Sequence, residues 1–180
     1  MNDYQTKRFA DRVVRALMNS LTGKKIALFG FAFKKNTGDT RESAAIKLVK
    51  AFLVEGGRVD IYDPQVREET IWHELTAAVV PNGEDRTSPR LIHVLTKVKS
   101  RVRVVGSPYD AATEAAAVVI ATEWDVFRCD QMDYRRVYHG MKKPAYLFDG
   151  RLVVEEKPLK EIGFKVEIIG KGAGRCYEMF

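Results

Sequence analysis

Cysteine and histidine are scarce: only Cys129 and Cys176, and His73, His93 and His139, occur in 180 residues. The two cysteines lie far apart with no CxxC pair and the histidines are scattered, so neither a disulfide framework nor a zinc site is indicated, and no metal is expected. Long apolar runs are missing as well. No stretch nears the roughly 20 consecutive apolar residues of a membrane span, and the opening MNDYQTKRFADRVV is a charged amphipathic segment without the apolar heart of a signal peptide. A cytoplasmic protein with no membrane partner is expected. Acidic residues fall slightly short, with 24 Asp and Glu against 30 Lys and Arg, a formal charge of +6. So mild an excess serves solubility unless it is focused somewhere. Aromatic and basic side chains are not interleaved along one face, which argues against a nucleic-acid partner.

What is present is an alternation of strand and helix patterns. Phe9, Val13, Leu17 and Leu21 form one apolar stripe, with Ala10, Val14 and Met18 beside it, which predicts a helix from Tyr4 to Leu21. Asn2 or Asp3 would cap it, and Gly23 would follow its end. KKIALFG (24–30) is a short apolar run of the kind buried on both faces of a parallel sheet. A helix over 42–57 and a strand over 58–64 complete a βαβ unit. Residues 65–101 form a less regular excursion: REETIWHELTAAVV reads as helix, PNGEDRTSPR as loop, and LIHVLTKVKS as either helix or strand. Strands follow at 102–106, 116–124 and 145–151. Short helices start at Ser107, a cap with Pro108 in the first turn, and near Asp133, and a last helix and strand close the pattern. The expected fold is α/β, a Rossmann-like, mainly parallel open sheet covered by helices on both faces and preceded by one amphipathic helix (1–22). All 180 residues are read as one domain.

In such a sheet, ligands bind beyond the carboxyl ends of the strands. Those ends carry Phe33, Lys34, Lys35, Asp63, Glu123, Trp124, Asp149 and Arg151. The first of these turns, GFAFKKNTGDTRES (30–43), lacks the G-x-G-x-x-G of a dinucleotide site: only Gly30 fits. Asp63 then reads as a turn-former ahead of Pro64 more readily than as a ribose ligand. Lys34 and Lys35 bring side-chain charge where a dinucleotide site has open backbone. Asp39 is expected to cap the following helix, with Glu42 three residues on. Arg151 is the second anion-binding candidate, its guanidinium oriented by Asp149.

The segments FGFAFKKNTGDTRES, IYDPQV, ATEWDVF, KPAYLFDGR and LKEIGFKVEIIGKG, in this order, closely resemble the carboxyl-terminal UDP-binding domain of the UDP-glucose 6-dehydrogenases, within the UDP-glucose/GDP-mannose dehydrogenase family. The likeness runs from the first residues to about Lys171, apart from about Arg67 to Val102, where little matches. It implies that the chain is part of an NAD-dependent enzyme that oxidises UDP-glucose to UDP-glucuronate, consuming two NAD through a cysteine thioester. By the same resemblance Phe33, Lys34 and Arg151 contact the substrate, and Arg41 reaches an NAD held mainly by the amino-terminal domain. The family's nucleotide fingerprint and nucleophilic cysteine are expected upstream of Met1. Cys129 and Cys176 are then bystanders, no residue of this chain is catalytic, and the chain alone is inactive. The expected partners are UDP-glucose and the amino-terminal and central domains of the same enzyme, which forms homo-oligomers. The alternative is a free-standing nucleotide-binding or regulatory module.

Overall fold

Six strands make one parallel sheet in the order β3-β2-β1-β4-β5-β6. The computed structural model describes residues 3–80 and 88–170. At the centre lie β1 (Lys25–Phe29) and β4 (Ala117–Ile120), paired in register from Ile26 opposite Ala117 to Phe29 opposite Ile120. Both are apolar throughout their paired length because helices cover both of their faces, and Ile26 to Phe29 and Ala117 to Ile120 are all fully buried. Outside them come β2 (Arg58–Tyr62) and β3 (Val102–Val104) on one side, and β5 (Tyr146–Asp149) and β6 (Lys165–Ile168) on the other.

Right-handed crossovers divide the helices between the two faces. One layer holds α1 (Asp3–Ala16), α2 (Ala44–Val54), α3 (Glu68–Val79) and α4 (Pro89–Arg101), each touching the next. The other holds α5 (Pro108–Ala112), α6 (Tyr134–Gly140) and α7 (Glu156–Ile162), again neighbour against neighbour. The irregular excursion thus holds two helices; of the loop expected over PNGEDRTSPR (81–90), residues 81–87 lie outside the described residues, and Pro89 and Arg90 already belong to α4. LIHVLTKVKS is helical because Val94 and Val98, one turn apart, turn toward α2 and α3. Ser107 caps α5 and Pro108 opens it, as expected.

The first helix packs on α2 with its stripe pointing inward: Phe9 and Val13 of α1, and Leu17 and Leu21 beyond its end, are buried. It stops five residues earlier than its periodicity suggests. Met18 and Asn19 take positive φ, and the Asn19 and Met18 amides donate back to Val14 and Arg15 carbonyls, the double bond of a Schellman end. Asn2 lies outside the described residues, and Asp3 already belongs to the helix.

The α2 start also differs from expectation. Ser43, not Asp39, is the cap, its Oγ accepting from the Ala45 amide at 3.2 Å. Glu42 sits at φ 58 outside the helix, so no capping box forms. Asp39 is held elsewhere, by Arg41.

Midway along β2, Asp60 is buried and paired with Lys25 at 2.8 Å and Arg103 at 2.7 Å. This triad ties β1, β2 and β3 together across the sheet.

Candidate functional site

The site is built where the order of strands reverses, between β1 and β4. Gly30 ends β1 at φ 91, and its amide donates to the Tyr62 carbonyl at 2.8 Å. Its next two residues, Phe31 and Ala32, turn inward and are buried. In a dinucleotide-binding domain the amides here would stay open for a pyrophosphate. In this chain one Oδ2 of Asp63 takes both, Phe31 N at 2.7 Å and Ala32 N at 3.0 Å, and also the Trp124 indole N–H at 3.0 Å. The other oxygen, Oδ1, accepts the Gln65 and Val66 amides, each at 2.9 Å. Asp63 is therefore more than a turn-former: both of its oxygens are taken by the chain's own N–H groups, and it closes the turn that a dinucleotide would need.

With the turn sealed, residues 33–39 project as a loop closed by the Phe33 amide on the Asp39 carbonyl at 2.8 Å. Phe33 is 44% exposed, and Lys34 and Lys35 point into solvent. Lys35 pairs with Asp125 at 3.1 Å. Lys34 makes no ion pair among the described residues and adds only a longer-range pull on Asp39. Arg41, at the far foot of the loop, folds back on Asp39 (Nη2 to Oδ2, 2.7 Å) and holds that carboxyl down to about 2. Arg41 is exposed and Asp39 partly so, and a pair this open to water is weak enough to be exchanged for another anion.

Arg151 follows β5, two strands from β1 with β4 between them. Asp149 does not orient its guanidinium. That carboxylate is buried and accepts backbone N–H groups, Arg151 at 2.7 Å, Val153 at 2.6 Å and Val154 at 2.9 Å, fixing a turn in which Leu152 takes φ 59. Glu123 holds the guanidinium instead, through Nε and Nη2. An open hollow of about 290 Å³ lies here, lined by Glu123, Gly150, Arg151, Leu152 and Ile169.

The segment after β4 thus joins the two cationic loops. Trp124 is only 5% exposed and Phe127 fully buried, stacked on Phe29 at 5.2 Å. With Trp124 drawn inward, its flanking acids face outward: Asp125 toward Lys35 and Glu123 toward Arg151. The structure therefore brings Phe33, Lys34 and Arg151 to one edge on either side of this segment and leaves Arg41 at that edge's margin. The roles of Glu123 and Asp125 were not assigned from sequence. Their signal was the alternation E-W-D, a buried aromatic between two acids.

Cys129 is half-buried and free, and burial pushes its thiol above the ordinary range. Such a thiol is a poor nucleophile. In a Cys176→Ser variant, Cys129 should react with Ellman's reagent at pH 8 several-fold more slowly than free cysteine, and as fast as free cysteine in denaturant. Rapid reaction in the native state would contradict this. Among the described residues no group of three or more His, Cys, Asp or Glu is placed to hold a metal ion. None of their helices is long and apolar enough to cross a membrane.

This topology, with a sealed glycine turn and cations standing beyond it, defines an α/β domain of the Rossmann type whose β1 turn is closed to a dinucleotide. The model of the UDP-glucose/GDP-mannose dehydrogenase family's UDP binding domain matches residues 27–156, and the chain belongs to that family. It is 44% identical over 171 residues to the UDP-glucose 6-dehydrogenase of Drosophila melanogaster, covering 95% of this chain and 33% of that protein. It is 48% identical over 172 residues to UDP-glucose 6-dehydrogenase 2 of Oryza sativa subsp. japonica, covering 95% and 34%. The chain thus spans about a third of the length of the curated relatives it matches. Among solved structures, the NDP-N-acetyl-D-galactosaminuronic acid dehydrogenase of Methanosarcina mazei superposes with a TM-score of 0.65 over 92% of this chain and 28% of that one. At 18% identity this speaks for the fold alone.

Proposed function

We propose that this chain is the UDP-sugar-binding part of an NAD-dependent UDP-glucose 6-dehydrogenase, and that Phe33, Lys34 and Arg151 grip the substrate. The observation that carries the reading is that the Lys34 loop and Arg151 flank one shared segment at the carboxyl edge of a sheet whose family binds UDP. Lys34 supplies an uncommitted positive charge for the diphosphate. Phe33 offers an exposed ring for the base or sugar. Arg151 offers a directional fork. The domain's own β1 turn does not fit NAD, because Asp63 already occupies the amides a pyrophosphate would take. In this reading NAD is held by other segments of the longer enzyme, and Arg41, released from Asp39, reaches toward it. NAD supplies the hydride acceptor when bound. This chain's part is to hold the sugar nucleotide at a fixed distance and angle, and positioning errors of one ångström can cost about a hundredfold in rate.

Lys34→Ala in the complete enzyme is expected to lower kcat/KM for UDP-glucose between about tenfold and a hundredfold, the loss of one charge-assisted contact. Its melting temperature should not move, since Lys34 is exposed. Steady-state kinetics with UDP-glucose and NAD, beside thermal unfolding, measure both. Wild-type kinetics in this variant would refute the assignment.

A further inference from the structure

The two proposed substrate cations differ in how they are held. Lys34 stands exposed with no carboxylate bonded to it. Arg151, by contrast, has a side chain only 19% exposed, and Nε and Nη2 both rest on one carboxylate oxygen of Glu123, itself 29% exposed. No second partner for this guanidinium is found among the described residues. Of its five N–H donors, three remain to face a ligand. The turn beneath it is set by Asp149, so backbone and side chain are each fixed by their own acid.

Opposite unit charges in direct contact and partly shielded from water act on a distant anion as a dipole. Arg151 is therefore an aimed donor with little net charge. Such a group suits the uncharged acceptors of a sugar nucleotide, a hydroxyl or a base carbonyl, better than a phosphate.

We propose that Glu123 is a positioning residue that both aims and neutralises Arg151, so that Arg151 reads an uncharged part of the sugar nucleotide while Lys34 carries the attraction for the diphosphate. This rests on the function proposed above and divides the labour within that site. The acids around the site fit the division: Asp125 answers Lys35 and Asp39 answers Arg41, which leaves Lys34 as the loop's cation with no carboxylate in contact.

The test is a ¹⁵N-resolved titration of the full chain with UDP-glucose at a series of sodium chloride concentrations, for the wild type and for Lys34→Gln, Arg151→Gln and Glu123→Gln. Attraction between net charges weakens with salt, whereas an aimed contact from a neutral pair weakens little. Lys34→Gln should weaken binding and flatten its salt dependence. Arg151→Gln should weaken binding about tenfold and leave the salt dependence as in the wild type. Glu123→Gln should steepen it, because the arginine's charge is uncovered. A readout that needs no ligand is the Arg151 Nε–Hε resonance, expected to be resolved and protected from exchange in the wild type and to broaden in Glu123→Gln. Equal flattening by Arg151→Gln and Lys34→Gln, or an unmoved salt dependence in Glu123→Gln, overturns this inference alone. If UDP-glucose moves no resonance in the wild type, the proposed function falls and this division of labour with it. An unprotected Arg151 Nε–Hε in the wild type removes the clamp whatever binds.

Discussion

Replacing Asp63 by alanine is expected to destabilise the protein by about 3 to 4 kcal/mol, the cost of leaving two or more amide donors without a charged acceptor. The five donors on this carboxylate come from three places: the β1 turn, its own turn after β2, and the Trp124 indole beyond β4. Phe31 and Ala32 are buried, so their amides have no water to turn to. The bonds share one group and are not additive, which keeps the expected loss below their sum. Asparagine should do nearly as badly. Each carboxylate oxygen accepts from N–H groups only, so whichever way the amide is placed, its NH₂ meets donors. Chemical denaturation of the two variants measures this. An Asp63→Asn protein within about 1 kcal/mol of the wild type would show that the carboxylate's charge and geometry matter little.

Gly30→Ala should be comparably severe for a different reason. At φ 91 any L side chain is strained, and a β-carbon built there comes within 2.4 Å of the Thr122 Cβ and 2.9 Å of the Thr122 amide nitrogen. The second contact is with backbone, so rotating a side chain cannot relieve it. Adding a left-handed penalty of about 1–2 kcal/mol to overpacking of about 1–3 kcal/mol gives an expected loss of about 2 to 5 kcal/mol. The nearest relief is to part the β1 and β4 ends, which would also break the Thr122 hydroxyl bond to the Ala32 carbonyl at 2.7 Å. Ligand affinity should then fall together with stability. Thr122→Ser alongside it should recover little, because the backbone contact survives. A Gly30→Ala protein that melts with the wild type would contradict the close approach.

The alternation of apolar runs and amphipathic helices made the sheet legible, since a strand buried on both faces leaves a signature as plain as KIALF or AVVI. Helix ends were less so. The α1 periodicity continues through Leu17 to Leu21 because both residues are buried, yet they are buried from a turn, and apolar spacing does not register a Schellman end at Met18. Asp39 and Glu42 have capping-box spacing, which in the sequence favours Asp39 as the α2 cap. Arg41 competes for Asp39, and Ser43 was the nearer cap. Lys34 and Arg151 were legible as candidates because they follow strands. The acid that holds Arg151 was not, because Glu123 lies 28 residues from it in the chain and only strand order sets them side by side. Strand order is a long-range property that local pattern does not carry. Asp63 shows the same gap: its turn role was visible beside Pro64, but its hold on Phe31 and Ala32 crosses from β2 to β1.

In the proposed function a sugar nucleotide lies between the loop after β1 and the turn after β5. Mapping backbone amide shifts of the full chain on addition of UDP-glucose tests it most directly. Perturbations are expected to concentrate at residues 33–36 and 150–153 and in the segment 122–125 between them, with α1 and α4 unmoved. Perturbations confined to one of the two loops, or centred on Asp60 in the middle of β2, would overturn it.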